Sequence, residues 1–89
     1  MLHGLGRLIE SNYLYKGFWL NGKRNGYGIE KFINGNSYNG EFLDDKKHGN
    51  GKYVNAGTGT TYDGAWFNNK RHGIGKFNCS NGDEYFGEW

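Results

Sequence analysis

Tyr15-Lys16-Gly17-Phe18-Trp19, Tyr38-Asn39-Gly40-Glu41-Phe42, Tyr62-Asp63-Gly64-Ala65-Trp66 and Tyr85-Phe86-Gly87-Glu88-Trp89 are four versions of one pentapeptide, with tyrosines 23, 24 and 23 residues apart. Each of the first three is followed by a polar stretch with a basic pair and then by a Gly-x-Gly: Gly26-Tyr27-Gly28, Gly49-Asn50-Gly51 and Gly73-Ile74-Gly75. His3-Gly4-Leu5-Gly6 closes an earlier copy. Self-similarity at a fixed period means that one supersecondary unit is stacked, each copy burying its apolar face only against its neighbours. The whole chain, 1–89, therefore reads as one array: a partial repeat over 1–14, full repeats over 15–37, 38–61 and 62–84, and a partial repeat over 85–89.

Within a repeat the period is two. Tyr15, Gly17 and Trp19 share one face of a strand over 14–20, because successive side chains alternate. The stretch 21–25 reads as a polar loop, and Gly26 opens a returning strand that runs to about Ile33. Asn34-Gly35 and Asn81-Gly82 read as two-residue hairpin turns with positive φ at both positions. Asn55-Ala56-Gly57-Thr58-Gly59 carries an extra residue and predicts a longer loop. No stretch spaces apolar residues for a helix over two turns. The expectation is all-β: an elongated, twisted, single-layer antiparallel β-meander of about eight strands, each roughly 5–7 residues long. Glycines facing the rings, Gly73 and Gly75 for example, leave bare backbone on which a neighbouring ring can lie. Leu20, Leu43 and Phe67 form a minor apolar stripe on the reverse face.

Leu, Ile, Val and Phe supply only 17 of 89 residues, a level that alone points to disorder. Three Trp, seven Tyr and a net charge of only +2 restore the apolar area and argue for a folded sheet with an aromatic core. Cys79 is alone and there is no secretion signal or long apolar run, so the expected setting is reducing and cytoplasmic. Asn78-Cys79-Ser80 then reads as a coincidental match to a glycosylation acceptor, and Cys79 as a small filler on a strand.

Tyr-x-Gly-x-Trp, a basic segment and Gly-x-Gly at this period resemble the MORN (membrane occupation and recognition nexus) repeat, most closely at Tyr62-Asp63-Gly64-Ala65-Trp66 with Arg71-His72-Gly73-Ile74-Gly75. Three positions depart from the pattern: Phe42 replaces Trp, Asn25 replaces His, and Glu30 stands where Tyr53 and Phe77 stand. The resemblance implies one hairpin per repeat in a single sheet. It also implies a non-catalytic scaffold at cytoskeletal, ciliary or membrane-associated structures, catalysis in such proteins residing in other domains.

Two surfaces are candidates for binding. The first is the aromatic face: Tyr15, Trp19, Tyr38, Phe42, Tyr62, Trp66, Tyr85 and Trp89, expected to dock a protein partner or another copy of the chain. The second is a hairpin-loop ladder of Lys23, Arg24, Lys46, Lys47, Lys70 and Arg71, repeating about every 10 Å along one edge. This ladder fits anionic phospholipid at about 1 kcal/mol per cation, or else simply keeps the edge soluble. An enzyme fragment whose catalytic domain lies elsewhere is the third alternative.

Other chemistry is poorly supported. His3, His48 and His72 occupy equivalent positions two strands apart, roughly 10 Å, too far to share a metal. Gly57-Thr58-Gly59-Thr60-Thr61 lacks the Lys and the helix of a phosphate loop. Asp44-Asp45 and Asp83-Glu84 are adjacent in sequence and so diverge on a strand. No cofactor, small-molecule substrate or nucleic acid is expected, since acids interrupt the basic residues. Open first and last strands are expected to drive association, or to mark a piece of a longer array.

Overall fold

The computed structural model describes residues 3–89; His3 contributes backbone only, and its side chain lies outside the described part. Eight strands form one open antiparallel sheet in sequence order: β1 His3–Glu10, β2 Tyr13–Leu20, β3 Lys23–Phe32, β4 Ser37–Leu43, β5 Lys46–Asn55, β6 Thr60–Phe67, β7 Lys70–Asn78 and β8 Glu84–Glu88. The envelope is 44 × 28 × 15 Å, as a single layer requires. The all-β meander is as expected. The strands are longer than expected, β3 and β5 reaching ten residues, because the basic pairs belong to them.

The turns explain that difference. Asn21-Gly22, Asp44-Asp45 and Asn68-Asn69 have positive φ at both positions (53° and 77°, 49° and 69°, 50° and 68°). These are the tight two-residue turns whose twist suits a hairpin, and they pair Leu20 with Lys23, Leu43 with Lys46 and Phe67 with Lys70. The stretch 21–25 is thus a turn followed by strand. Asn34-Gly35 and Asn81-Gly82 are not such turns, since only the glycine of each has positive φ. They lie within three-residue loops closed by the Gly35 N–H on the Phe32 carbonyl (2.9 Å) and the Gly82 N–H on the Cys79 carbonyl (3.0 Å). Cys79 sits at such a turn rather than on a strand. The loop after Asn55 has four residues between the paired Asn55 and Thr60, longer as predicted.

The glycines of each Gly-x-Gly have separate roles. The pairing of β2 with β3 shifts between Gly17 and Trp19, so that residues 25–27 bulge opposite Phe18, and the same shift recurs in the next two repeats. Gly26, Gly49 and Gly73 sit in these bulges at positive φ, where side chains are strained. The second glycine pairs with the glycine of the pentapeptide: Gly28 with Gly17, Gly51 with Gly40, Gly75 with Gly64. A Cβ on Gly28, Gly51 or Gly75 would collide with the ring and hydroxyl of Tyr15, Tyr38 or Tyr62. Only the second glycine makes room for a ring.

Candidate functional site: the ring face and its cations

The eight predicted aromatic residues meet in one row on one face of the sheet. Within repeats, Tyr15–Trp19, Tyr38–Phe42, Tyr62–Trp66 and Tyr85–Trp89 have ring centroids 5.0–5.1 Å apart. Between repeats, Tyr15–Phe42, Tyr38–Trp66 and Tyr62–Trp89 continue the row at 5.3–5.5 Å. All seven contacts are edge-to-face, the arrangement that sets a ring's positive rim against the next ring's negative face. Phe42 keeps the row continuous where a Trp is replaced. What it lacks is an indole N–H: Trp66 donates from Nε1 to the Gly51 carbonyl (3.0 Å) and Trp89 to that of Gly75 (3.3 Å). Every repeat tyrosine donates its hydroxyl to the carbonyl three residues on, Tyr15 to Phe18, Tyr38 to Glu41, Tyr62 to Ala65 and Tyr85 to Glu88.

Burial divides this row. Tyr15, Tyr38, Tyr62, Phe42 and Trp66 are buried and form the core, so the expectation that all eight rings present area to a partner is corrected for these five. Trp19 is half-buried, and Tyr85 and Trp89 are exposed. Tyr13, Tyr53 and Phe77, half-buried on the same face, were missed by the sequence reading of the site. For Tyr53 and Phe77 the register opposite the repeat tyrosines is the available signal: Tyr53 pairs with Tyr38 and Tyr62, and Phe77 with Tyr62 and Tyr85, whereas Tyr13 pairs with Glu10 and Phe32.

The predicted six-cation ladder is not a single edge. Alternation along β3, β5 and β7 sends Arg24, Lys47 and Arg71 to the ring face and leaves Lys23, Lys46 and Lys70 exposed off it. Arg24 lies over Tyr15 and Phe42 at 5.9 and 5.1 Å from the ring centroids. Lys47 lies over Tyr38, Tyr53 and Trp66 at 5.4–5.9 Å. Arg71 lies over Tyr62, Phe77 and Trp89, the last at 4.4 Å. These cations roof the core that a single layer would otherwise leave wet.

Their neutralisation is unequal. Glu30, 3 % exposed, takes the Tyr13 hydroxyl (2.7 Å) and the Arg24 guanidinium on Oε2, with Lys47 Nζ 3.8 Å from Oε1. That Oε1 accepts no hydrogen bond from the described residues. Arg24 also reaches Asp45, with Nε on the carboxylate (3.1 Å) and Nη2 on the backbone carbonyl (2.7 Å). Burial pushes the Tyr13 hydroxyl's pKa up, with Glu30 adding to the shift. Arg71, by contrast, forms no ion pair among the described residues, and it is exposed. Between it and Lys47 runs a groove of about 380 Å³ floored by Tyr53, Tyr62, Trp66 and Phe77 and rimmed by Asn55, Thr60, Thr61 and Asn69.

On the reverse face Phe67 stands between His48 and His72, 5.6 Å from each ring. No group of three or more His, Cys, Asp or Glu is gathered for a metal among the described residues. Among the described residues no helix is long and apolar enough to cross a membrane.

No curated protein matches the chain. The MORN repeat profile does match it, at residues 15–37, 38–57 and 62–84. The first and third spans coincide with the repeats read from the tyrosine period, and the second ends within the longer loop. With three matched repeats over most of its length, each built as a hairpin of one antiparallel sheet, the chain belongs to the MORN repeat family, a non-enzymatic repeat module.

Proposed function

We propose that the protein is a non-catalytic binding module that docks a protein partner on the ring face of its sheet. The observation that carries this reading is the open groove whose accessible aromatic area comes from half-buried Tyr53 and Phe77, with buried Tyr62 and Trp66 supporting them. Aromatic floors of this kind supply large contact area at low entropic cost, with polar atoms at the rim to fix orientation. Trp89 and Tyr85 extend the accessible area beyond the groove. A scaffold of cytoskeletal, ciliary or membrane-associated structures in the cytoplasm is the setting that family membership favours. The lipid alternative keeps Lys23, Lys46 and Lys70 exposed off the ring face, with Arg71 exposed on the opposite side and Arg24 and Lys47 partly buried, so the six cations do not make one ladder.

Affinity capture with paired variants tests the reading. Trp89→Ala and Tyr53→Ala alter the ring face, and Phe67→Ala alters the reverse face. A specific partner is expected to be lost from the first two and retained by the third, all three giving the circular dichroism of the folded sheet. A partner retained by both ring-face variants and lost with Phe67→Ala would move the binding surface to the other side.

A further inference from the structure

We infer that the groove between Lys47 and Arg71 selects an acidic peptide segment, one that sets a carboxylate against Arg71 and an apolar side chain on the rings below. The inference rests on the ring face being the docking surface and specifies the chemistry of its partner. Its basis is internal to the chain. In the first full repeat a carboxylate already occupies the space under the roofing cations: Glu30 reaches Arg24, the Tyr13 hydroxyl and Lys47 from the position that aromatic residues hold later. Asp45 adds a second acid to the same arginine. The first repeat is therefore self-neutralised.

In the next two repeats that position is Tyr53 and Phe77, and no acid replaces Glu30. Asn69 stands where Asp45 stands, so the turn that clasps the Lys47 backbone carries an amide instead of a carboxylate. Lys47 has only the 3.8 Å approach to Glu30, and Arg71 forms no ion pair among the described residues. Two cations roughly 10 Å apart, on strands separated by one other, thus flank an aromatic floor, Lys47 held at long range by Glu30 and Arg71 with no ion-pair partner among the described residues. Uncompensated positive charge over a low-dielectric wall favours an anionic side chain and suppresses a cationic one. The spacing matches two residues on one side of an extended segment, which lie roughly 6.5–7 Å apart at Cα and reach farther at their side-chain ends. Asn55, Thr60, Thr61 and Asn69 supply the donors and acceptors that a peptide backbone needs. A planar lipid surface meets this site poorly. Arg71 and Lys47 lie down on rings within the sheet face, whereas Lys23, Lys46 and Lys70 project elsewhere.

Selection of a displayed library of random decapeptides on the whole chain tests the assignment. Enrichment of Asp or Glu together with an apolar residue is expected. The affinity of a selected peptide should fall about tenfold or more in Arg71→Gln, and less than about twofold in Lys70→Gln. Replacing its acids with Gln or Asn should abolish binding, and added salt should weaken it. Arg71 is exposed, so its variant keeps the fold, which circular dichroism verifies. Neutral or basic winners would overturn the acidic assignment and leave the ring face a peptide site. Absence of any winner would overturn both. Sedimentation with phosphatidylcholine vesicles containing phosphatidylserine, lost in Arg71→Gln while no acidic peptide is selected, would assign the groove to lipid instead.

Discussion

Glu30 is the residue at which the repeat departs most from its own rule, and its neighbours show what the departure costs and returns. A carboxylate buried to 3 % exposure is tolerable only with partners, and Arg24, Tyr13 and Lys47 supply them. Removing one partner of a buried pair strands the other, whereas replacing the charge by a packed ring is often neutral or stabilising. Arg24→Met is therefore expected to lower the melting temperature. Adding Glu30→Tyr in the same chain should recover most of the loss. A double variant no better than Arg24→Met would show that Glu30 gains nothing from the arginine. The tyrosines make a second case. Burial pushes the Tyr15, Tyr38 and Tyr62 hydroxyls above their ordinary value of 10.0, Arg24 opposing it at Tyr15 and Arg71 at Tyr62. The folded state thus holds the neutral form. Their contribution to stability is complete below the ordinary pKa and is lost as pH rises past it, because the unfolded chain ionises first. Tyrosinate absorbance and circular dichroism should then change together above about pH 10. Full ionisation with the sheet intact would contradict this. Glu30 was visible in the sequence as an oddity, but its partners were not. In the sequence Arg24 reads as part of a polar loop, and the alternation that turns it toward Glu30 exists because the strand begins at Lys23.

That misplacement is a matter of elements. The hairpin count, the strand faces and the long loop were legible because aromatic and glycine positions alternate in register with the period. The turns were legible only in part. Asn-Gly is the strongest two-residue turn signal, yet here Asn34-Gly35 and Asn81-Gly82 close three-residue loops, while Asp44-Asp45 and Asn68-Asn69 take the paired positive φ. A clasp between hairpins holds the turns at Asp44-Asp45 and Asn68-Asn69. The Asp45 N–H donates to the Arg24 carbonyl (3.0 Å) and its carboxylate accepts the Arg24 N–H (2.7 Å); Asn69 repeats both contacts on Lys47 (3.1 and 2.8 Å). Such bonds join residues 21 or 22 apart, and no local pattern reveals them. Burial raises the Asp45 carboxyl, but the hydrogen bonds and charge of Arg24 outweigh it and hold the group below its ordinary 3.8. A carboxylate lowered on folding contributes stability that is present above its unfolded pKa and lost as pH falls through the folded value. Asp45→Asn keeps the acceptor and removes the titration, as the natural Asn69 does. Its urea midpoint should decline less than that of the unaltered chain between about pH 5 and pH 3. Identical slopes would remove Asp45 from the acid response.

Across the whole molecule, the edge-to-face row makes neighbouring repeats interdependent, since each inter-repeat contact places the Trp or Phe of one repeat on the tyrosine of the repeat before it. Nearest-neighbour coupling of this kind is what makes a repeat array unfold as a unit. Trp66 sits at the middle of the row, touching Tyr38, Tyr53 and Tyr62 and donating to Gly51. Trp66→Ala is expected to cost about 3–5 kcal/mol, and the loss should appear as a lower single transition. An unchanged melting temperature would mean that the row does not carry the fold. The two flanks of the sheet behave differently from its middle. β1 and β8 each pair on one side only, and so present free N–H and C=O groups along their outer edges. Natural edges are blunted by lysines, proline or inward charges, and neither strand contains lysine or proline. Leu5, Ile9 and Phe86 instead expose apolar area beside those edges, at 70 %, 63 % and 72 %. A second strand adding to either edge would satisfy the backbone and cover part of that area in one step. We therefore expect the isolated chain to associate, with a mean mass by light scattering that rises with concentration across the micromolar range. Placing lysine on the edge strands, as Leu5→Lys with Phe86→Lys, should shift the distribution toward monomer without loss of the sheet signal. A single monomeric species at every concentration would show that the edges are already blunted by twist and by Glu10, Glu84 and Glu88.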